Sequence, residues 1–296
     1  MQKLIEKAGI LIEALPYIQS FDGKIVVVKL GGSAMSVPGC TEGVLKDVVF
    51  MEAVGMRPVL VHGGGQEISA RMKAAGIIPR FVQGLRITDE QTIGIVSEVL
   101  SEINRGLVDK IRGFGGKASG VCAGKESVIR AVKHLPLVKG KNGGGAAADI
   151  GFVGEVSAVF PALLSRIIRR GAIPVIAPLG ADGKGRVYNI NGDVAAGEIA
   201  AALKAEKLVF LSDVPGILRK PDGEGQSQLL SSLNRRDIHQ LLAGGVIEGG
   251  MIPKVTAGLK ALENGVGKVH VIDGRIKHSL LLEIFTDKGI GTEIGS

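Results

Sequence analysis

The chain contains no tryptophan, and aromatic residues are only 3% of its 296 residues against 45% hydrophobic residues in all. A core must therefore be built from Val, Ile, Leu and Ala, the usual filling of parallel sheets covered by helices, which favours an α/β architecture over an all-β sandwich. Few aromatics also means little equipment for stacking nucleic-acid bases, and no nucleic-acid partner is expected. Cysteine is scarce too. Cys40 and Cys122 offer neither a disulfide framework nor the paired spacing of a zinc site, so a reducing cytoplasm is the expected setting and both thiols read as small buried hydrophobes. No stretch stays apolar for 18 residues, and Glu6, Lys7 and Glu13 interrupt the N-terminal run. Neither a membrane span nor a signal-peptide core is expected. No Gly-Lys pair is followed by Ser or Thr, which excludes a P-loop, and the dinucleotide-like spellings "GFGGKA" and "GGGAAA" follow no convincing first strand.

What is abundant is glycine, 45 residues scattered at the ends of apolar runs without a period, as turns rather than low complexity. The excess of basic over acidic residues, +7, is dispersed along the chain and suits small anionic ligands. Five β-branched runs end in Gly or polar residues: "KIVVVKLGGS" from 24, "RPVLVHGGGQEIS" from 57, "GAIPVIAPLG" from 171, "EKLVFLSDVPG" from 206 and "GKVHVIDG" from 267. All but the third and last are apolar enough for burial on both faces. With helical segments between them, they predict a three-layer α/β sandwich around a mostly parallel sheet, whose ligands bind at the C-terminal strand ends. Lys29, His62 and Asp213 fall at those ends. Segments 90–111 and 161–171 read as helices, while 133–156 reads as short antiparallel strands with a flexible loop suited to a lid. A soft boundary near 180–188 divides an N-terminal lobe, about 1–185, from a C-terminal lobe, about 186–296. At the N-terminus, Leu4, Ala8, Leu11, Leu15 and Ile18, flanked by Ile5 and Ile12, form a broad helical stripe. It either folds back on its own domain or is exchanged with another subunit.

Consecutive glycines after a strand let bare backbone N–H groups converge on an anion. "KLGGS" and "HGGG" are two such turns, each readable alone as a simple tight turn. Lys29, ending the first run, would bring a positive charge to a phosphate, or would snorkel to the surface. Lys254 stands in the first turn of a helix after Gly249 and Gly250, where a cation opposes the helix dipole and calls for a negative partner. In "YNINGDVAAGEI", Asp193 is placed to cap a helix, and Asn189 and Asn191 alternate towards one face. Arg86 precedes Thr88 and Gln91, a capping-box spacing that would turn a guanidinium and a helix N-terminus towards one carboxylate.

Together, "KLGGSAM", "VHGGG", "GLRITDE", "NINGD", "SDVPGIL" and "EGGMIPK", in this order along nearly the whole chain, resemble the amino acid kinase family, and within it the branch that phosphorylates N-acetyl-L-glutamate in arginine biosynthesis. The resemblance implies transfer of the ATP γ-phosphoryl group to a side-chain carboxylate with Mg²⁺. It implies that Lys29 and Lys254 stabilise the transition state and that Asp193 organises both lysines. Gly64 and Gly65 would offer their amides to substrate and transferring phosphoryl, Arg86 and Asn189 would bind acetylglutamate, and Asn191 would line the same site. Gly31, Gly32, Ser212, Asp213 and Gly250 would lie at the nucleotide. A carboxylate acceptor is already ionised at neutral pH and needs no general base, so His62 reads as structural. The N-terminal stripe matches the extra helix of arginine-inhibited members, hexamers made as a trimer of dimers, and His270, Glu283 and Gly289 match their inhibitor site. Two departures are Gln66, where the family has proline, and Gly192, where it has alanine. The alternatives are a kinase for another carboxylate or a carbamate, and an inactive arginine or nucleotide sensor.

Overall fold

The computed structural model describes every residue except 36, 38, 125, 126, 140–144, 220–225, 287, 288 and 296. Eight strands form one continuous sheet: β1 (Ile25–Leu30), β2 (Arg57–His62), β3 (Ala118–Val121), β4 (Ile173–Ile176), β5 (Lys207–Ser212), β6 (Ser232–Asn234), β7 (Lys268–Asp273) and β8 (Thr292–Gly295). Their spatial order is β6-β8-β7-β5-β1-β2-β4-β3. From β7 to β3 all neighbours are parallel, whereas β8 runs antiparallel to β7 and β6 runs parallel to β8. The five apolar runs of the sequence are the five adjacent central strands. The third and last are buried as thoroughly as the others, because helices cover both faces across their whole width. The edge strands "ASGV", "SLN" and "TEIG" are short and rich in small or polar residues, so they leave little periodic signal.

Alternation along the strands sorts the core into two layers. Val27, Val59, Val61, Leu208 and Phe210 face helices Ala162–Arg169, Gly192–Ala202 and Met251–Glu263. Val26, Val28, Leu30, Leu60, Val209 and Leu211 face helices Cys40–Ala53, Glu90–Gly113 and Ser279–Ile284. The three layers predicted from composition are therefore present. The same parity aims the site residues: Lys29 shares the face of Val27, and His62 shares the face of Leu60. A one-residue slip in register would reverse both.

A second, four-stranded sheet runs Val187–Asn189, Leu179–Ala181, Ile129–Lys133, Gly154–Val159. Beside it an antiparallel hairpin pairs Leu137–Lys139 with Gly145–Ala147, as read from segment 133–156. The centre of the expected lid loop, 140–144, lies outside the described residues. The N-terminal helix Gln2–Phe21 leaves Ile5, Ile10, Leu11, Ile12 and Leu15 exposed, so over these residues it does not fold back on its own domain. Its last turn is anchored, by Phe21 against the sheet core and Tyr17 edge-on to Phe285. The side chain of Leu4 lies outside the described set. No helix among the described residues is long and apolar enough to cross a membrane.

Candidate active site

At the C-terminal ends of β1 and β2, three charged side chains converge. Lys29 Nζ lies 2.7 Å from Asp193 Oδ1, and Lys254 Nζ donates to Asp193 Oδ2 at 3.0 Å. One carboxylate thus holds two ammonium groups, one on each oxygen. Lys29 neither snorkels nor lies open; it is 7% exposed. Burial pushes its pKa below the ordinary lysine value while Asp193 opposes that shift. For Asp193 burial acts the other way, but the two lysines overcome it and hold its carboxyl below the usual range. The negative partner that Lys254 needs at its helix N-terminus is therefore Asp193. The expected capping role of Asp193 is corrected here: Asn191 is the N-cap, its Oδ1 accepting from the N–H groups of Asp193 and Val194 at 2.9 and 3.1 Å. With its own backbone served by Asn191, the Asp193 carboxylate is free for the lysines.

Lys29 and Asp193 border a cavity of about 650 Å³, lined also by Gly32, Gly63, Gly64, Gly65, Arg86, Asn189 and Asn191 among others, and Lys254 reaches it through Asp193. Leu30 and His62 are register partners, so the two glycine turns lie side by side. A Cβ on Gly63 would stand 3.3 Å from Gly32 N, and one on Gly64 would stand 2.8 Å from both Ile103 and Leu100. A side chain at Gly63 would press on backbone, and one at Gly64 would require Ile103 and Leu100 to shift. Gly64 caps helix Gly65–Ala74, whose N-terminal end faces the cavity. Arg86 is buried rather than solvated: Nη2 donates to Gly65 O and Ser69 Oγ, both at 2.8 Å, and its guanidinium lies over Phe81. Burial lowers its pKa from the ordinary arginine value. The capping box expected at Thr88 is not formed. Asp89 caps helix Glu90–Gly113 through Thr92 N–H, and Thr88 Oγ1 donates to Arg86 O instead. Asn189 reaches Thr88 Oγ1 at 3.4 Å.

Residues 24–273 match the model of the amino acid kinase family. The chain belongs to the amino acid kinase family. It is 53% identical over 295 residues to an acetylglutamate kinase of Heliobacterium modesticaldum, covering 99% of each chain. Among solved structures it resembles N-acetylglutamate synthase of Neisseria gonorrhoeae complexed with coenzyme A and N-acetyl-glutamate, with TM-score 0.80 and 27% identity over 98% of this chain. The same synthase complexed with coenzyme A and L-arginine gives TM-score 0.77 at 26% identity over 97% of this chain. The chain spans 63% and 65% of the length of those synthase chains.

In this amino acid kinase the remaining residues of interest fall into two further groups. Leu30 pairs with Leu211, which sets Gly31 opposite Ser212, and Asp213 is near enough to add to the pull on the Lys29 charge. Gly250 caps the helix that carries Lys254. These residues flank the lysines but do not line the substrate-sized cavity. Far from them, His270, Glu283 and Gly289 meet at a second cavity of about 790 Å³, together with Tyr17, Ser20, Phe21 and Lys207. His270 Nδ1 lies 2.7 Å from Glu283 Oε1, which also puts its second oxygen on Ile290 N–H at 2.6 Å. Burial pushes His270 down, and Glu283 is held low by His270 and those N–H groups against its own burial. An ammonium can only donate, so Nε2, 3.2 Å from Lys207 Nζ, accepts from it, and the ring proton sits on Nδ1 towards Glu283. Gly289 has φ +59°, and a Cβ there would stand 2.8 Å from Glu283 Oε2.

Sequence reasoning missed Ser69, which holds Arg86, and Lys207, which opens β5 as Lys29 stands one residue from the end of β1. A lysine directly before an apolar run was the signal for the second. Of the two departures, Gln66 lines the cavity. At Gly192 a Cβ would make ordinary contact with Lys29 Cε at 3.4 Å, so the family's alanine would fit and its absence leaves a small gap beside the lysine.

Proposed function

We propose that the protein transfers the γ-phosphoryl group of ATP to the side-chain carboxylate of N-acetyl-L-glutamate, giving N-acetyl-L-glutamyl 5-phosphate and ADP, in cytoplasmic arginine biosynthesis. The observation that carries the reading is the Lys29–Asp193–Lys254 bridge at the rim of a cavity walled by two bare glycine turns and Arg86. Two cations facing a phosphoryl group during in-line transfer stabilise its spread of negative charge, and catalysis becomes positioning plus electrostatics. Asp193 keeps the two like charges together until the phosphates arrive. Gly64 and Gly65 offer N–H groups to the transferring phosphoryl. Arg86 takes the α-carboxylate of acetylglutamate, with Asn189 and Asn191 beside it. The nucleotide lies across Gly31, Gly32, Ser212, Asp213 and Gly250, on the C-terminal lobe side, and acetylglutamate on the N-terminal lobe side. The hairpin of Leu137–Lys139 and Gly145–Ala147 acts as the lid.

Mg²⁺ would be carried in on the nucleotide phosphates and would supply charge neutralisation there. Among the described residues no three His, Cys, Asp or Glu side chains form a metal-holding group, and Asp193 is occupied by lysines. Arginine, as a feedback inhibitor, takes the cavity of His270, Glu283 and Gly289, whose buried carboxylate suits a guanidinium or an α-ammonium. The exposed apolar face of the N-terminal helix pairs with that of another subunit and builds a hexamer, a trimer of dimers.

The test is ADP release from Mg-ATP with N-acetyl-L-glutamate, glutamate, aspartate and carbamate, with and without arginine. Selective turnover of acetylglutamate suppressed by arginine is the expected result. Preference for another acceptor overturns the substrate, and no turnover at all favours a sensor.

A further inference from the structure

His62 stands one residue before the glycine turn, fully buried and outside the cavity lining. Its Nδ1 lies 2.8 Å from Gly63 O, and its Nε2 lies 3.1 Å from Asn104 Nδ2. The same Asn104 Nδ2 donates to Val175 O at 2.9 Å. That second bond settles the arrangement. A backbone carbonyl can only accept, so the group facing Val175 is the NH₂ of Asn104, and His62 Nε2 must be the acceptor of its other hydrogen. The ring proton then sits on Nδ1 and is donated to Gly63 O. Burial holds the His62 pKa at about 4, so the ring carries one proton and has one tautomer.

The consequence runs through the peptide bond. In a trans peptide the carbonyl of Gly63 and the N–H of Gly64 lie in one plane and point in opposite directions. Pulling Gly63 O inward to His62 turns Gly64 N–H outward, towards the cavity that Gly63, Gly64 and Gly65 line. A glycine pair has little other restraint on that plane.

We propose that His62 and Asn104 are positioning residues that lock the Gly63–Gly64 peptide plane, and so aim the Gly64 N–H at the transferring phosphoryl group. Neither touches the substrate. The inference rests on the proposed phosphoryl transfer. It also gives Gly120 a reason: a Cβ there would collide with Asn104 Oδ1, so the neighbouring strand keeps a gap for the amide.

The experiment combines kinetics with ¹⁵N NMR of the His62 ring in the full-length enzyme. In the wild type the ring shows the neutral Nδ1–H form at pH 7. His62→Leu removes the bond to Gly63 and is expected to lower kcat by ~10²-fold, the scale of losing one oxyanion donor, with KM values for ATP and acetylglutamate changed far less. His62→Asn, whose amide N–H reaches the place of Nδ1–H, recovers kcat to within ~10-fold of wild type. Equal losses in both variants, in proportion to their melting temperatures, overturn the proposal. Should His62→Leu not fold, the isosteric Asn104→Asp puts an acceptor at Nε2, moves the ring proton there, and is expected to lower kcat as the tautomer changes. A changed tautomer with unchanged kcat, or a wild type carrying its proton on Nε2, overturns the proposal while the proposed function stands. A wild type that phosphorylates no carboxylate overturns both.

Discussion

A lysine ammonium at the end of a buried strand is costly unless a counter-charge meets it. Asp193 is that counter-charge for Lys29 and for Lys254 alike, so removing any one of the three leaves the others exposed to the penalty. Lys29→Ala and Lys254→Ala are each expected to reduce kcat by ~10²–10³-fold with an unaltered circular dichroism spectrum; turnover at the wild-type rate would contradict their role. Asp193→Asn has a second signature. Burial pushes the Lys29 ammonium down, and Asp193 is the main group holding it up. Without that charge Lys29 loses its proton at lower pH, so the alkaline fall of kcat is expected to begin earlier than in wild type. Linkage gives the acid side: a carboxyl held below its ordinary value, about 3.9, stabilises the fold above that value and loses the stabilisation as pH falls through the depressed one. Melting temperatures from pH 5 to pH 2 are expected to drop more steeply in wild type than in Asp193→Asn. The lysines were legible because each breaks a local rule, a charge in an apolar run or a cation at a helix start, and Asp193 because it follows one, an acidic residue where a helix begins. That Asn191 rather than Asp193 caps the helix was not, since both satisfy the same short-range preference and only the lysines decide between them.

Helices Gly192–Ala202 and Met251–Glu263 carry the two halves of the bridge, and their approach depends on a glycine. A Cβ on Gly197 would lie 2.9 Å from Ala257 O, a backbone atom that cannot move alone. Gly197→Ala is expected to part the helices, separate Lys254 from Asp193 and lower kcat by about tenfold for roughly 1.4 kcal/mol of lost transition-state stabilisation, measured beside Tm to show that the fold persists. The N-terminal helix makes a different case. Its apolar stripe was plain from spacing alone, but its direction was not, because an amphipathic pattern says that a face is buried and not against what. With Ile10, Leu11 and Ile12 each more than 60% exposed, removal of residues 1–21 is expected, on the proposed trimer-of-dimers assembly, to leave a dimer by light scattering. A particle of unchanged mass would show that the helix does not hold subunits together.

The far cavity opens at the N-terminal ends of β5 and β7, whereas the candidate active site lies at the C-terminal ends of β1 and β2. Lys207 and His270 lie at or near the starts of β5 and β7, while Ser212 and Asp273 end them, about 17 Å apart for six residues of extended chain. Tyr17, Ser20 and Phe21 of the N-terminal helix form part of the far cavity. Whatever binds there touches both the sheet that carries Lys29 and the N-terminal helix whose apolar face is exposed. Glu283→Gln, which removes the buried charge, is expected to weaken arginine inhibition at least tenfold while leaving kcat without arginine near wild type, read from arginine titrations of ADP release; unchanged inhibition would place the effector elsewhere. The sequence by itself determined the five central strands, the three layers, the glycine turns and the charged residues at strand ends, because these follow from alternation, apolar content and backbone freedom within a few residues. The tertiary structure alone decided which partner each charge meets, that Ser69 and Phe81 hold Arg86, that Asn104 reaches His62 from a distant helix, and that Lys207 joins His270 and Glu283. Phe81 and Arg86 aside, those contacts join residues more than ten positions apart in the chain, and parity on a strand says which face a side chain takes but not what will be waiting there.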